Sequence, residues 1–530
     1  MKNLHLIRSG FSKAGLLGLF FSSVFLLQPA LSAGAADGRF NVRDYGAVGD
    51  GKTLDSPAID KAIQACSAAG GGTVYAPAGT YLSGSIHLTN NLNLYIDAGA
   101  VILAAPISLN AYDQTEPWQG VAYQDGGHTF FHNSLIWGEN LTNVSITGPG
   151  MINGAGLSRG DAQEDSRSGF NNWQNPTPRN DAGGTPDRNG NKAIALKLCR
   201  NVLLRDVTIL HGGHFAILVT GCDNLTVDNV TMDTNRDGID IDCCRNTMVS
   251  NCRINSPGDD GLCPKSSFAL GTNVITENLT IVNCQVSGFV EGTLVDGTMK
   301  PANGYGRIKF GTEANGGFRN ITIANCTFRG CRGLALEEVD GGIMENISIN
   351  NITMMDVAGY GIYITTGKRN RGPNVTLPSR MRNIRISNIV ASGVSANNGI
   401  QITGLPEQPI EGLRLENIRF ICNGGGTKAQ ADVVPPELGT GYPEPRGVMP
   451  GYGVFARHVK GLELANINFT SDKEDLRPVL VCADVDGLEI DNFKAQLGQD
   501  VAAAKLLDGV KGVVIRNSPV LDKVQTKILQ

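Results

Sequence analysis

The chain has 530 residues, of which 67 are glycine, 41% are hydrophobic and only 18% are charged. This balance excludes a disordered chain and a coiled coil, and a count of 45 Lys+Arg against 50 Asp+Glu excludes a nucleic-acid binder that depends on bulk positive charge. The glycine content favours a turn-rich fold over a helical one. Because the net charge is −5, local basic residues would have to hold any anionic partner.

The first 36 residues are typical of an export signal. Lys2, Arg8 and Lys13 give a positive start, residues 14–27 form an uncharged apolar core, and residues 33–35 offer a cleavage site. The apolar run is too short to make a comfortable membrane anchor. We therefore predict a signal peptide over residues 1–36 and a mature chain over 37–530 that is secreted or periplasmic, without insertion into a membrane.

Residues 56–67 have the pattern of an amphipathic helix. Ser56 is the expected N-cap, Pro57 occupies the first helical position, and Gly70 lies just beyond the end. We expect this helix to cover the N-terminal end of the fold. Two polar stretches, 155–190 and 423–452, are predicted to be long loops, and loops of that length are usually functional or disordered.

A repeat organises the chain from about residue 200 onward. In each unit an asparagine precedes alternating apolar residues, such as Leu225, Val227 and Val230, which predicts short strands. The repeated asparagines, never closer than 22 residues, are Asn201, Asn224, Asn246, Asn278, Asn320, Asn346 and Asn383. A leucine-rich horseshoe is excluded because the units lack its leucine spacing and a helical half. Stacked strands with Asn at the corners predict one parallel β-helix domain over 37–530.

The twelve cysteines could form disulfides in an exported protein. Cys252, Cys284 and Cys326, however, each follow an asparagine at one recurring position, which predicts a stack of buried thiols. We therefore expect mainly structural thiols, with one or two disulfides at most.

Aspartates occupy equivalent positions on two adjacent coils. Asp237 and Asp259 each lie 13 residues after the asparagine of their own unit, Asp260 adjoins the second, and Asp240 and Asp242 continue the first coil. Carboxyl groups at that spacing push one pKa upward, which gives the protonated and ionised pair that acid–base catalysis needs. Three interpretations remain at this point: a polar or calcium-binding corner, a calcium-dependent lyase, and glycoside hydrolysis.

These residues resemble motifs of glycoside hydrolase family 28, the polygalacturonases and rhamnogalacturonan hydrolases of the pectin-lyase-like class. Residues 235–237, Asn-Arg-Asp, are similar to the family's Asn-Thr-Asp, and 258–260 to its Gly-Asp-Asp, which Lys265 and Ser266 follow. Residues 40–52 and 70–81 resemble an opening shared by many β-helix carbohydrate enzymes.

The resemblance implies an all-β, right-handed single-stranded parallel β-helix with an N-terminal capping helix and long loops over one face. It also implies a general acid at Asp259 and a water molecule activated by Asp237 and Asp260, with inversion at the anomeric carbon and no metal or cofactor.

Two motifs of the family are altered. Its Gly-His-Gly corresponds to residues 304–306, where Tyr305 can bond a sugar but carries no charge near neutral pH. Its Arg-Ile-Lys, which grips a uronate carboxylate, should fall at 335–337, where the chain has Ala-Leu-Glu. Residues 307–309 read Arg-Ile-Lys one coil early; we interpret this as coincidence rather than relocation, although the site can still use Lys309. The absence of this carboxylate-binding motif at 335–337 favours a substrate other than plain polygalacturonate, namely rhamnogalacturonan or a polysaccharide branch that contains a uronic acid.

Several further side chains are candidates for binding substrate. His214, one coil before Asp237, is either a sugar ligand or a loop residue, and Trp118 and Trp173 either stack on sugar rings or pack. Glu337 and Glu338 would repel a carboxylate but accept hydrogen bonds from a neutral sugar. The predicted substrate-binding residues are His214, Asp240, Lys265, Tyr305, Lys309 and Glu337.

The sequence therefore predicts a monomeric glycoside hydrolase that cleaves a pectin-like polysaccharide of the plant cell wall. Two alternatives stay open: a polysaccharide lyase on the same fold, which would need calcium or a strong base, and a carbohydrate-binding β-helix without catalysis. The loops at 155–190 and 423–452 suggest that one end of the cleft is blocked, which would decide between endo and exo action.

Overall fold

The computed structural model describes residues 38–117, 126–157, 191–302 and 304–526, apart from 374, 376, 396–397, 441–442, 444–446 and 523. The predicted signal peptide, Trp118, Trp173 and most of the loop at 155–190 lie outside the described residues. In the described part no helix is both long enough and apolar enough to cross a membrane.

Strands dominate the described part of the chain, with helices α1 (Ser56–Ala68) and α2 (Gly126–Thr129) and short 3-10 helices at Val42–Tyr45, Ile107–Leu109, Gln430–Asp432 and Pro519–Leu521. The strands are β1 (Arg39–Asn41), β2 (Asp50–Leu54), β3 (Gly72–Ala76), β4 (Gly79–Ser83), β5 (Ile86–His87), β6 (Leu92–Ile96), β7 (Ala100–Ala104), β8 (Ile136–Glu139), β9 (Thr142–Thr147), β10 (Met151–Asn153), β11 (Lys192–Lys197), β12 (Arg200–Arg205), β13 (Thr208–Leu210), β14 (Phe215–Thr220), β15 (Asp223–Asp228), β16 (Thr231–Asp233), β17 (Asp237–Asp242), β18 (Arg245–Ser250), β19 (Arg253–Asn255), β20 (Leu262–Lys265), β21 (Thr276–Val282), β22 (Gln285–Ser287), β23 (Lys309–Phe310), β24 (Phe318–Arg329), β25 (Leu334–Glu338), β26 (Ile343–Met355), β27 (Tyr360–Thr366), β28 (Arg380–Val394), β29 (Asn398–Thr403), β30 (Ile410–Gly424), β31 (Val454–Lys473), β32 (Leu480–Ala495), β33 (Ala504–Leu506), β34 (Val514–Arg516) and β35 (Val524–Thr526).

The strands stack in parallel from coil to coil, as the repeat predicted. Strand β12 pairs with β15, β15 with β18 and β18 with β21, each one turn further along the stack. A second face runs through β5, β8, β11, β14, β17 and β20. The fold is a right-handed parallel β-helix, which confirms the predicted fold class.

The interior of the helix is filled by columns of apolar side chains. On the second face Ile217, Ile239 and Leu262 stand in register on successive coils, and all three are fully buried. Each such side chain contributes about 1.5–3 kcal/mol of hydrophobic stabilisation. The alternate residues of the same strands point outward, and this outer surface carries the candidate site.

The repeated asparagines form the corners of the coils. Their φ angles lie between 53° and 58°, the left-handed region that only Gly and Asn adopt readily. Their side chains also bond one another along the stack: Asn320 Nδ2 donates to Asn278 Oδ1 over 3.2 Å, and Asn346 Nδ2 donates to Asn320 Oδ1 over 3.1 Å. Asparagine is therefore suited to the corner for two reasons: it adopts the left-handed backbone conformation, and its side-chain amide bonds to the next coil.

We expect Asn320→Ala to lower the free energy of unfolding by about 2 kcal/mol, because it forces an alanine into the left-handed region and removes two amide bonds. Asn320→Gly removes the same bonds without the steric penalty and should lose less. Urea denaturation of the three proteins measures the difference. Equal losses for alanine and glycine would show that the backbone conformation is not the cause.

The N-terminal helix α1 covers the first coil. Its own side chains Ile59, Ile63 and Cys66 are buried in the interface with that coil. The predicted cap was wrong by one residue, since the N-cap is Asp55. The Asp55 carboxylate accepts bonds from the preceding turn, at 2.7 Å from Val48 N, instead of capping the helix. Ser56 lies inside the helix, where its hydroxyl accepts a bond from the Gly84 backbone.

All twelve cysteines fall in the described part of the chain, and all are buried free thiols. Cys252, Cys284 and Cys326 occupy the interior of successive coils, which confirms the predicted stack. The one or two disulfides allowed by the sequence are not formed. Burial alone accounts for these thiols, because a free cysteine packs as a small apolar side chain.

Candidate active site

The candidate site lies on the outer surface of the second face, where one row of side chains crosses consecutive coils. Asp240 of β17 stands in register with Cys263 of β20, and the bridge between Leu262 and Ile308 places Lys309 of β23 next in that row. Adjacent coils are about 4.8 Å apart, so charged side chains in this row are within contact distance.

The three aspartates predicted to be catalytic come together. One carboxylate oxygen each of Asp237, Asp259 and Asp260 lies within 4.8 Å of the other two. The backbone N–H of Asp260 donates to Asp237 Oδ1 over 3.1 Å. Asp237 and Asp260 are buried, whereas the side chain of Asp259 remains 30% exposed and is the carboxyl most accessible to a substrate.

Asp260 is held between two cations. Arg307 Nε donates to its Oδ1 over 2.5 Å, and Lys309 Nζ lies 3.2 Å from its Oδ2. Burial alone would raise the pKa of Asp260, but the charges of Arg307 and Lys309 hold that pKa well below its usual range. Asp260 is therefore ionised across the working pH range.

The Arg-Ile-Lys sequence at 307–309 thus belongs to the site, although it lies one coil before the position expected from the motif. Its two cations are buried and face Asp260, and Lys309 Nζ also lies 3.9 Å from Glu337 Oε2. Glu337, which replaces the lysine of the family motif, is fully buried beside it. Lys309 and Glu337 were both predicted to bind substrate, and the structure places them beneath the surface of the site.

Lys265 balances a second group of carboxylates. Its Nζ lies 3.0 Å from Glu313 Oε2, 3.5 Å from Asp240 Oδ2 and 4.0 Å from Asp237 Oδ2. Burial disfavours the charged amine, but these three carboxylates raise the pKa of Lys265 well above its ordinary value. His128 approaches from the other side, with Nε2 3.7 Å from Asp240 Oδ2.

The electrostatics separate the aspartates into different protonation states. Burial, followed by the charges of Asp259 and Asp240, raises the pKa of Asp237 well above its ordinary value. Burial raises the pKa of Asp240 to about 6, against the opposing charges of Lys265 and His128. Near neutral pH the site therefore holds a protonated carboxyl beside an ionised one, as acid–base catalysis requires.

Clustered carboxylates can also bind metal ions, and two groups here are close enough: Asp237, Asp240 and Cys263, and Asp237, Asp259 and Asp260. Calcium sites, however, use carboxylates whose charge the ion itself balances. Here Lys265, Arg307 and Lys309 already provide that balance. We therefore treat the aspartates as acid–base residues rather than as metal ligands.

Two further guanidinium groups lie at the edge of the site. Arg236 Nη2 is 3.0 Å from Asp259 Oδ2. Tyr305, at the position of the family's histidine, is partly exposed, and the guanidinium carbon of Arg332 lies 3.7 Å from the centre of its ring. The backbone N–H of Tyr305 donates to Pro257 O, so this coil packs directly against the turn that carries Asp259.

His214, which was predicted to bind substrate, lies at the preceding coil and beneath the surface. It is fully buried, its ring centre is 4.2 Å from that of Phe215, and its backbone N–H donates to Asn191 O. The site also contains residues that the sequence did not single out, namely His128, Glu313, Arg369 and Arg371. Of these, only Glu313 carried a signal, because it lies shortly after the Gly-Tyr-Gly motif at 304–306.

Comparison with known proteins finds similarity to polygalacturonases in sequence and in fold. The family model "Rhamnogalacturonase A/epimerase, pectate lyase-like" matches residues 39–263. A probable polygalacturonase of Vitis vinifera is 25% identical over 395 residues, which cover 71% of this chain and 72% of that protein. The exo-poly-alpha-D-galacturonosidase of Dickeya chrysanthemi is 23% identical, over 69% of this chain and 64% of its own length.

Among solved structures, an exopolygalacturonase from Thermotoga maritima superimposes with a TM-score of 0.57 at 22% identity, covering 72% of this chain and 87% of that one. The match supports the β-helix independently of the sequence repeat. Together with the motifs around the three aspartates, these findings confirm the resemblance to glycoside hydrolase family 28. The chain is thus similar in sequence to polygalacturonases and shares the parallel β-helix of an exopolygalacturonase.

Proposed function

We propose that the protein is an exported glycoside hydrolase that cleaves a galacturonate-containing, pectin-like polysaccharide. The observation that carries the proposal is the meeting of Asp237, Asp259 and Asp260 on one face, with one carboxyl favoured in its neutral form and another held ionised. The polygalacturonase relatives support the reaction class and the substrate. Export rests on the pattern of residues 1–36, and residues 37–530 then form the catalytic domain.

In this mechanism Asp259 protonates the glycosidic oxygen, Asp260 deprotonates the attacking water, and Asp237 orients that water. Burial and the charges of Asp259 and Asp240 raise the pKa of Asp237 well above its ordinary value, so Asp237 orients the water as a neutral carboxyl. Asp260 remains ionised beside Arg307 and Lys309 and attracts the proton that the water loses. Lys265 keeps the buried carboxylates together without itself giving up a proton.

We propose inversion at the anomeric carbon. Nearest oxygens within 4.8 Å are closer than the roughly 6.5–9.5 Å between carboxyls of most inverting enzymes. Three carboxyls, however, allow a water molecule to be held by the buried pair while the third acts as donor. Proton NMR of the first product identifies its anomer: the inverted anomer supports this scheme, and the retained one would make an aspartate the nucleophile.

A digestion panel tests the reaction class. Polygalacturonate, rhamnogalacturonan and a neutral plant glycan are incubated with and without chelator, and both reducing ends and the absorbance of unsaturated uronates are followed. We expect new reducing ends without that absorbance, unaffected by chelator. Chelator-sensitive absorbance would identify a lyase, and binding without any product would identify a carbohydrate-binding module.

We also propose exo action, because described residues cover the face on both sides of the carboxylates. On the N-terminal side His128 lies against Asp240, and the rings of Phe131 and Phe215 are fully buried over the preceding coils. A chain end can enter such a site, but the middle of a polymer cannot lie across it.

On the C-terminal side the loop between β30 and β31 lies over the same face. The Tyr363 hydroxyl, two coils beyond Lys309, donates to Pro443 O, and Arg457 Nη1 donates to Pro435 O over 2.7 Å. Through these contacts the loop covers the outward-facing side chains on the C-terminal side of the carboxylates.

We therefore expect mono- or disaccharides as the only early products, while the viscosity of the polymer changes slowly. Chromatography of the first few per cent of the reaction, alongside viscometry, measures this. A ladder of intermediate oligosaccharides with an early fall in viscosity would instead establish endo action.

A further inference from the structure

Arg236 forms an ion pair with the proposed proton donor. Its Nη2 lies 3.0 Å from Asp259 Oδ2, and the two side chains are 16% and 30% exposed. Ser256 Oγ donates to the Arg236 backbone carbonyl over 2.6 Å, which fixes the main chain from which the guanidinium extends. The position is occupied by threonine in the family motif, so this contact is a feature of this chain.

The contact conflicts with the role of Asp259 in the resting protein. A general acid must carry a proton, and a guanidinium at hydrogen-bond distance favours the ionised carboxylate. The other charged groups facing Asp259 from the described residues are the carboxyls of Asp237 and Asp260, and the next coil adds Tyr305 with Arg332 on its ring. Before Asp259 can donate, its contact with Arg236 has to be released.

The other cations around the aspartates are not placed to leave their partners. The side chains of Lys265, Arg307 and Lys309 are each buried against carboxylates that would be left unbalanced if the cation moved. The pair of Arg236 and Asp259 is different, since it is partly open to solvent and either member can be hydrated during an exchange.

We infer that Arg236 exchanges partners during binding: a uronate carboxylate of the substrate takes the guanidinium from Asp259, and Asp259 then takes up from solvent the proton that it donates. This inference rests on the proposed function and deepens it, because it names the group by which the site selects a uronate. Arg236 acts as a specificity and positioning residue that makes the acid competent only when a carboxylate is bound.

The test compares oligogalacturonate with its carboxyl-reduced, neutral counterpart, using the wild-type protein and Arg236→Gln, Arg236→Lys and Arg245→Gln. Arg245 is a suitable control, because its side chain is 53% exposed on the face of β15 and β18 and pairs with Asp223 rather than with a proposed catalytic aspartate. The dependence of kcat/KM on pH is measured for both substrates, and thermal unfolding verifies that each variant folds.

We expect Arg236→Gln to reduce the preference for the uronate by at least about tenfold, the effect of losing one hydrogen bond between charged groups. The alkaline limb of kcat/KM should also move to higher pH, because the Asp259 carboxyl loses its guanidinium partner. Arg236→Lys should retain most of the preference, and Arg245→Gln should leave the alkaline limb in place.

An unchanged preference and an unchanged alkaline limb in Arg236→Gln would overturn the inference, as would a wild-type protein that cleaves both substrates equally well. Those results would leave the hydrolase assignment standing. A wild-type protein that hydrolyses neither substrate would instead remove the proposed function, and this inference with it.

Discussion

Replacing Asp259 by asparagine is expected to lower kcat/KM on a pectin-like substrate by about 10³-fold, within the range that a general acid contributes. The substitution removes the proton and preserves the shape. Asparagine can still accept the bond from Arg236, and Asp259 is partly exposed, so the fold should not change. The thermal unfolding temperature is therefore expected to stay within about 2 °C of the wild type, as for most surface substitutions.

A proton donor leaves a signature that a binding residue does not. With an aryl glycoside whose leaving group needs no protonation, Asp259→Asn should lose far less activity than with a sugar leaving group. Asp237→Asn and Asp260→Asn, which affect the water, should lose similar activity on both substrates. Asp486→Asn is a matched control, because this aspartate is exposed, lies in register with Lys460 far from the three aspartates in the stack, and pairs with Lys511, at 3.3 Å.

The result is decisive in either direction. Activity of Asp259→Asn within about tenfold of the wild type would exclude it as the donor. The donor would then be Asp237, whose pKa is raised by burial and by its neighbours. If the aryl glycoside restores the activity of Asp237→Asn but not that of Asp259→Asn, then Asp237 is the proton donor.

The fold could be predicted from the sequence because its signal is local and repeated. Each corner needs a residue that adopts the left-handed conformation, so asparagine recurs once per coil and marks the register. Counting from that asparagine also placed Asp237 and Asp259 on adjacent coils. The predicted cap of α1 failed for a local reason, since the carboxylate of Asp55 is used by the preceding turn.

The partners of the carboxylates could not be predicted in the same way. His128 and Arg369 reach the site from connections of variable length, which have no register to count. The Arg-Ile-Lys sequence that contains Arg307 and Lys309 was recognised, but counting coils placed it one coil before the position expected for the family motif. Because coils are only about 4.8 Å apart, a cation on one coil can balance a carboxylate on the coil before it. Counting from the repeated asparagines therefore identifies the strand on which a residue lies, but it does not identify the side chain that the residue contacts.

Lys265 balances the negative charge of three buried carboxylates, so its removal should destabilise the fold. Lys265→Met should lower the free energy of unfolding at pH 8 by about 3–5 kcal/mol, the usual loss when one member of a buried ion pair is removed. The methionine fills similar volume, so little of the loss comes from packing. Asp237, Asp240 and Glu313 stay buried without the cation that lies within 4.0 Å of each.

The sign of the pH dependence follows from the aspartates. The pKa of Asp240 is already raised to about 6 in the folded protein with Lys265 present, against about 3.9 in an unfolded chain. Removing the lysine raises it further. A carboxyl with a raised folded pKa contributes stability that is fully present below its unfolded pKa and is lost as pH rises through the folded pKa. Against the effect of burial, the charge of Lys265 also helps to hold the pKa of Glu313 well below its usual range, so part of the deficit is already present at pH 5. The deficit of Lys265→Met should therefore be smaller at pH 5 than at pH 8.

Urea denaturation of the wild type and the variant at both pH values measures this difference. Lys511→Met is the matched control, since Lys511 pairs with Asp486 over 3.3 Å at the surface and should lose less than about 1 kcal/mol at either pH. A deficit of Lys265→Met that is equal at pH 5 and pH 8 would attribute the loss to packing rather than charge. It would then follow that Lys265 does not balance the aspartates, and the protonation states assigned to them would have to be revised.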